Sequence, residues 1–154
     1  MSKFHCIDLG YDHDYDLIGI HSVLEDYRMA FYLNRHFKIG LNRLKDDLDF
    51  DNSNCSFSAY AYEDETNYTS WALISNKFVS VEEVSTTPTN LFPEETKVAH
   101  LIPEKSKVDY FVKITGLKDD ELKQLLSEMN DINQIITSYT IDPNDLRSRD
   151  NLIF

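Results

Sequence analysis

Two segments with helical periodicity, one near each end of the chain, enclose a middle region in which polar and apolar residues alternate. The C-terminal segment places apolar side chains at i, i+3, i+4 and i+7, the spacing of one helix face. These residues are Leu122, Leu125, Leu126 and Met129. Only four glycines and four prolines interrupt the chain, so long regular elements are expected. The order predicts an α+β fold: a two-layer sandwich in which two main helices cover a largely antiparallel sheet of about six to seven strands.

The N-terminal helix is predicted to begin at Ser22 and to run to about Phe37, before Gly40. Ser22 and Glu25 have the spacing of a capping box, in which each side chain accepts a backbone N–H bond of the first turn. A broad apolar stripe follows, which is typical of a helix packed on a sheet. The stripe consists of Val23, Tyr27, Ala30 and Phe31, widened by Leu24 and Leu33.

The middle region contains the clearest hairpin pattern. Residues 55–62 place small or apolar side chains on one side and serines and tyrosines on the other, and residues 68–75 return after a polar turn. Further strands are predicted over residues 4–9, 17–21, 41–50, 78–84, 98–102, 108–114 and 132–141. No linker separates two domains, so we expect one domain over residues 1–142 and a polar C-terminal tail over residues 143–154.

The chain is strongly acidic, with 15 basic and 27 acidic side chains and a net charge of −12. An acidic surface repels phosphate backbones and anionic membranes, so neither nucleic acid nor a membrane is expected as a partner. A basic protein is the partner that this charge favours, and a homodimer is a further arrangement left open. The plain alternative is a solvated acidic surface without a specific partner.

The location of the protein is predicted from its apolar segments and its cysteines. No apolar run approaches the roughly 18 residues that a membrane helix needs, and the N-terminus does not resemble a signal peptide. We therefore expect a cytoplasmic protein. Cys6 and Cys55 are too few and too far apart for a disulfide framework and are interpreted as free, buried thiols.

Residue patterns for metal, cofactor and nucleophile chemistry are missing from the sequence. Residues 12–16 and 47–51 begin like calcium loops, but they lack the glycine and the glutamate that an EF-hand needs further along. Neither a phosphate-binding glycine loop nor a nucleophile elbow occurs. We expect no bound metal, no cofactor and no catalytic residue.

One nine-residue stretch stands out, from Ile102 to Tyr110. It reads Ile102, Pro103, Glu104, three variable positions, then Val108, Asp109 and Tyr110. This stretch resembles the signature of a bacterial protein family named after the pattern IPExxxVDY. The resemblance extends to the chain length, the segment 17–20 and the segment 26–28. It implies a family to which no activity is attached.

The signature has three open interpretations: a structural corner, a partner-facing surface or a catalytic pair. In the structural interpretation Pro103 ends one strand and Asp109 holds the turn into the next strand by accepting backbone N–H bonds. Val108 and Tyr110 are then predicted to share one face of that strand. In the catalytic interpretation Glu104 and Asp109 divide acid and base roles.

Two candidate partner surfaces lie outside the signature. Tyr60, Tyr62 and Tyr68 lie near the hairpin tip and would be either an exposed aromatic platform or covered by a helix. The apolar C-terminal end consists of Leu152, Ile153 and Phe154, which are expected to dock in a groove. The leading hypothesis is a non-enzymatic protein-interaction module, an adaptor or accessory protein with an acidic surface. The alternative is a small enzyme or ligand-binding protein with a pocket near Glu104, Asp109 and His100.

Overall fold

The computed structural model describes residues 14–49, 55–83 and 94–153. The longer strands and the two helices, in chain order, are β1 (Tyr15–His21), α1 (Asp26–Phe37), β5 (Ala59–Asp64), β6 (Thr69–Ser75), β7 (Lys77–Glu83), β8 (Glu94–His100), β9 (Tyr110–Thr115), α2 (Asp119–Asn130) and β10 (Thr137–Ile141). Three two-residue strands complete the set: β2 (Asn42–Arg43), β3 (Leu48–Asp49) and β4 (Ser56–Phe57). The strand predicted over 4–9, Cys6 and Phe154 lie outside the described residues.

Six strands form one sheet in the order β10-β1-β9-β6-β5-β2, and every neighbouring pair is antiparallel. Helix α1 leads from β1 to the far edge at β2, and α2 leads from β9 back to the opposite edge at β10. Strands β3 and β4 pair with each other, and β7 and β8 form a separate hairpin. The prediction of an α+β fold with an antiparallel sheet and two helices is confirmed.

The first face of the sheet lies under the two helices. Because successive side chains of a strand point to opposite faces, Ile18 and Val112 face the helices while Leu17 and Phe111 face away. Met29 and Leu33 of α1 and Leu125 and Met129 of α2 complete this core, and all four are buried. The stripe predicted for the second helix is correct at Leu125 and Met129, with Leu122 and Leu126 partly buried beside them.

The second face of the sheet is covered as well. Leu101 and Ile102 pack there with Leu146 and Leu152 of the C-terminal segment, which contains two short 3₁₀ helices, Pro143–Asp145 and Arg149–Leu152. Strands buried on both faces need apolar side chains at consecutive positions, which explains the run from Leu17 to Ile20. Gly19 interrupts this run because a Cβ atom there would lie 2.7 Å from Ile141 Cδ1.

The predicted start of the first helix is wrong, and its predicted apolar face is correct only at Ala30 and Leu33, with Leu24 partly buried beside the core. The helix begins at Asp26 with Glu25 as N-cap, and Ser22 makes other contacts: its N–H donates to Asp109 Oδ2 and its hydroxyl donates to the carbonyl of Gln134. The buried residues are Met29, Ala30 and Leu33, whereas Val23, Tyr27 and Phe31 are exposed. The apolar stripe was too wide to show which part of it meets the sheet. The end at Phe37 is as predicted.

The last strand is shorter than predicted, and its outer edge is blocked by a side chain. Ile132 to Ile136 form a turn instead of extending the strand, which begins at Thr137. Asn130, the last residue of α2, accepts the N–H of Ser138 at 2.8 Å and donates to its carbonyl at 3.1 Å. The Asn130 side chain thus binds the backbone N–H and carbonyl of Ser138 at the edge of the sheet, as a neighbouring strand would.

The helices of the described ranges are short or amphipathic, and none of them is long and apolar enough to cross a membrane.

Candidate functional site

The signature loop, residues 102–110, closes around the buried side chain of Asn76. Asn76 Oδ1 accepts the N–H of Ile102 at 2.8 Å, and its Nδ2 donates to the carbonyls of Lys105 at 2.9 Å and Val108 at 2.8 Å. Its backbone N–H also donates to the carbonyl of Asp109. The sequence contains no local signal of this role of Asn76, because its partners lie 26 to 32 positions away.

Pro103 begins a single turn of 3₁₀ helix, Pro103–Lys105, after β8 has ended at His100. A proline is tolerated there because the first N–H groups of a helix have no partner inside it. The loop then closes by two backbone bonds, from Lys105 N–H to the carbonyl of Ile102 and from Val108 N–H to that of Lys105, each 3.0 Å long. The polar segment after Pro103 is therefore a helical turn rather than a simple hairpin.

Glu104 holds the C-terminal segment. Its carboxylate accepts the backbone N–H of Ser148 at 2.7 Å and the Ser148 hydroxyl at 3.0 Å. Partial burial acts to raise the pKa of Glu104, but these hydrogen bonds outweigh it and hold the pKa below its usual value. Asn151 adds a second link from its side-chain amide to the carbonyl of Leu101.

Asp109 joins three parts of the chain. Its Oδ2 accepts the N–H of Ser22, just after β1, at 2.9 Å, and its Oδ1 lies 2.5 Å from Nζ of Lys77, the first residue of β7. Its own N–H donates to the carbonyl of Ile20. Asp109 thus accepts a backbone N–H bond from the entry to α1, not from the turn of the signature itself.

Val108 and Tyr110 lie on opposite faces of the sheet, so the prediction that they share a face is wrong. Val108 packs in the second-face core and Tyr110 in the core under the helices. The reason is that β9 begins only at Tyr110, and the strict alternation of a strand does not extend back to Val108. The Tyr110 hydroxyl donates to the carbonyl of Leu24 at 2.6 Å, and burial, followed by the charge of Asp26, raises its pKa.

Four grooves among the described residues, including the one described below, are lined by none of Glu104, Asp109 and His100. No hydrogen bond or ion pair among the described residues joins any two of them, and His100 lies opposite Lys77 in the β7–β8 hairpin. Within the same residues no three His, Cys, Asp or Glu side chains are grouped to hold a metal ion.

The candidate partner residues are divided between the core and the surface. Tyr60 is buried in the core under the helices, Tyr62 packs against that core, and only Tyr68 is freely exposed, at 86%. At the C-terminal end Leu152 is fully buried, whereas Ile153 is 71% exposed. The structure therefore does not bring the three tyrosines together as one exposed surface, and of the described C-terminal residues Leu152 docks while Ile153 does not.

A groove of about 650 Å³ lies between α2 and the turns that precede β6 and α2. We call it the acid–aromatic groove. Phe37 and Trp71 line it with ring centroids 5.4 Å apart, and Tyr68 stands at its rim. On the α2 side it is lined by Glu121, Gln124, Leu125 and Glu128, and Lys118 adds a cation at the start of the helix.

Two turns with left-handed backbone conformations fix the rim of this groove. Tyr68 has φ of 56° and Gly116 has φ of 89°. A Cβ atom at Gly116 would overlap the carbonyl oxygen of Tyr68, so only glycine allows the two turns to meet. Such a conformation is unfavourable for a tyrosine, and here it holds a large aromatic ring out at the edge of the groove.

The acidic wall of the groove is ordered by bonds within α2. Glu121 Oε2 accepts the N–H of Lys118 at 3.0 Å as part of a capping box, and Gln124 Nε2 donates to Glu128 Oε1 at 3.3 Å. Glu121 and Glu128 are seven positions apart, so they lie on one side of the helix about 10.5 Å apart along its axis. Sequence reasoning missed the groove because its residues come from three separate segments: Phe37, residues 66–71 and residues 116–128.

Comparisons of the chain with family models, with curated proteins and with solved structures give no match.

Proposed function

We propose that this protein is a non-enzymatic interaction module that binds a basic segment of a partner protein in the acid–aromatic groove. The observation that carries the proposal is the pairing of the aromatic rings of Phe37 and Trp71 with the carboxylates of Glu121 and Glu128 in one groove. An arginine or lysine side chain is the group that suits both, since its alkyl stem packs on aromatic rings while its charged end meets a carboxylate.

The overall charge supports the same class of partner. With a net charge of −12 the protein attracts basic molecules over long range and speeds their encounter, while the groove would supply the specific contacts. Lys118 at the start of α2 opposes a basic ligand locally, so the binding segment is expected to enter toward Gln124 and Glu128.

The contacts of the signature loop favour a structural role over a catalytic one. Glu104 and Asp109 each use their carboxylate to bind backbone N–H groups of distant segments. A general base or acid must instead reach a substrate proton, and neither carboxylate lines the acid–aromatic groove. No observation favours the alternative of a small enzyme with a pocket at these residues.

Trp71 allows a direct test, because it is the only tryptophan of the chain and it lines the groove. A peptide of eight arginines, titrated at about 150 mM salt so that long-range attraction is screened, should change the emission of Trp71 and saturate. The matched peptide of eight glutamates should leave the emission unchanged.

Two variants then locate the site. Glu121→Gln with Glu128→Gln should weaken peptide binding about tenfold, since each partly exposed ion pair contributes up to about 1 kcal/mol. Glutamine at position 121 preserves the capping box. Asp119→Asn with Asp120→Asn removes the same charge from the same helix outside the groove lining and serves as the control. An equal loss of peptide affinity in the two double variants would refute the groove as the binding site.

A further inference from the structure

A second surface of the helix layer is exposed and carries two arginines, with the Tyr27 hydroxyl hydrogen-bonded to Glu25 at its edge. Tyr27, Arg28, Phe31 and Arg35 project from α1 on the side away from its buried residues, and we call them the outer face of α1. Tyr27 and Phe31 are 59% and 56% exposed although both are large aromatic side chains. A basic and aromatic face is unexpected on a chain with a net charge of −12.

The outer face of α1 matches the acid–aromatic groove in spacing as well as in charge. Arg28 and Arg35 are seven positions apart on α1, as Glu121 and Glu128 are on α2. Seven residues span about 10.5 Å along a helix axis and return to nearly the same side. Two helices laid against each other could therefore pair both arginines with both glutamates at once.

We infer that the outer face of α1 binds the acid–aromatic groove of a second copy of this chain. The inference rests on the proposed function, because it assigns the groove the same class of ligand, a basic helical segment. In this dimer Phe31 would lie on the aromatic floor of the other copy, between the two ion pairs. Both surfaces belong to one chain, so a twofold axis lets each copy give its α1 and receive the other's, and the assembly closes.

Other occupants of the outer face fit less well. A nucleic acid or an anionic membrane could pair with Arg28 and Arg35, but the rest of the protein would be repelled by its own negative charge. An acidic segment of another protein meets the same repulsion. A second copy is acidic overall too, but it offers carboxylates at the matching spacing and buries two exposed surfaces at once.

The dimer and the binding of a basic partner would compete, because both use the same groove. The peptide of eight arginines should therefore dissociate the dimer in proportion to its occupancy of the groove. In that case the second copy acts as an internal competitor, which only a basic partner of sufficient affinity displaces.

The test is a charge swap measured by sedimentation velocity at about 150 mM salt. Wild type at tens of micromolar should sediment as a dimer. Arg28→Glu with Arg35→Glu should be monomeric, as should Glu121→Lys with Glu128→Lys. Mixing the two variants should produce a heterodimer. In it the glutamates introduced on α1 of one copy face the lysines introduced in the groove of the other, and the remaining interface keeps its native arginines and glutamates. Circular dichroism of each variant checks that it is folded.

The control is Arg147→Glu with Arg149→Glu, which makes the same charge change at exposed positions away from the helix layer and should remain dimeric. A wild type that is monomeric at these concentrations, or variants that fail to combine on mixing, would overturn the inference.

Binding of the arginine peptide by the Arg28→Glu, Arg35→Glu variant distinguishes the dimer from the proposed function. If this variant binds the peptide but the wild type does not dimerise, the proposed function stands and the dimer is wrong. If the wild type dimerises but this variant does not bind the peptide, binding of a foreign basic segment is wrong.

Discussion

Asn76 Oδ1 accepts the backbone N–H of Ile102 at 2.8 Å in a part of the core where neither residue has exposed surface. Asn76 also binds the carbonyls of Lys105 and Val108, so one side chain satisfies three backbone groups of the signature loop. The loop has few regular backbone bonds of its own, and a buried polar group without a partner is costly. The shape of the signature therefore depends on a residue outside it.

Asn76→Ala should be the most destabilising polar substitution in this region. It leaves one donor and two acceptors of the loop without their partner, each at a cost of about 1–3 kcal/mol. The three losses together come to at least about 3 kcal/mol. For a domain of this size 1 kcal/mol changes the melting temperature by about 2–4 °C, so a decrease of at least about 6 °C is expected. Asn42→Ala, at an exposed position of β2, is the control and should melt like wild type. Equal melting of all three proteins would show that water replaces the lost bonds.

Asp109→Ala should lower the free energy of unfolding by about 1.5–3 kcal/mol, since it removes a charged acceptor from the N–H of Ser22. Lys77→Ala should cost less than about 1 kcal/mol, because its ion pair with Asp109 is partly exposed. Urea unfolding of the two variants distinguishes these contributions. If Lys77→Ala is the more damaging change, the ion pair rather than the backbone bond is what holds the corner.

The contribution of Glu104 to stability should depend on pH. Its folded-state pKa lies below the usual value of a glutamate, so its bonds to Ser148 are fully stabilising above the unfolded pKa. That stability is lost as the pH falls from about 5 through the folded pKa. The stability difference between wild type and Glu104→Gln should therefore be largest near pH 7 and shrink by pH 3. Urea unfolding across this range measures it, and a difference that stays constant would mean that the charge of Glu104 has no part in holding Ser148.

Leu152→Ala should destabilise the protein by about 2–5 kcal/mol, because the side chain is fully buried in the second-face core. Ile153→Ala removes a similar number of atoms one position later and should change stability by less than about 0.5 kcal/mol, since that side chain is mostly exposed. Thermal melts of the pair compare two adjacent apolar residues directly. A similar loss of stability in both variants would mean that the Ile153 side chain is buried in an assembly.

Deletion of residues 151–154 should lower the melting temperature at least as much as Leu152→Ala. The deletion also removes the bonds from Asn151 to the carbonyl of Leu101 and from Lys113 Nζ to the carbonyl of Leu152. An unchanged melting temperature would mean that the C-terminal segment contributes nothing to the fold.

Local patterns predicted the elements whose residues interact mainly with their sequence neighbours. The narrow stripe around Leu125 and Met129 located α2, because only one face of that helix is apolar. The alternation of residues 55–62 separated Phe57 and Ala59 from Tyr60 and Tyr62, and the structure places these pairs on opposite faces. The position of Asn76, in contrast, carries no local signal of its three partners.

The sequence by itself determined the α+β class, the antiparallel hairpin, the second helix and the acidic charge, since these follow from the periods of a helix and a strand and from composition. Only the tertiary structure decided which side of α1 is buried, because the apolar stripe around Tyr27 and Phe31 was wider than the surface that the sheet can cover. It also decided that Trp71, Tyr68 and Glu121 meet in one groove. Glu121 lies about 50 positions after Tyr68 and Trp71, and their contact depends on how the strands pair and the turns meet, which no local pattern of side chains specifies.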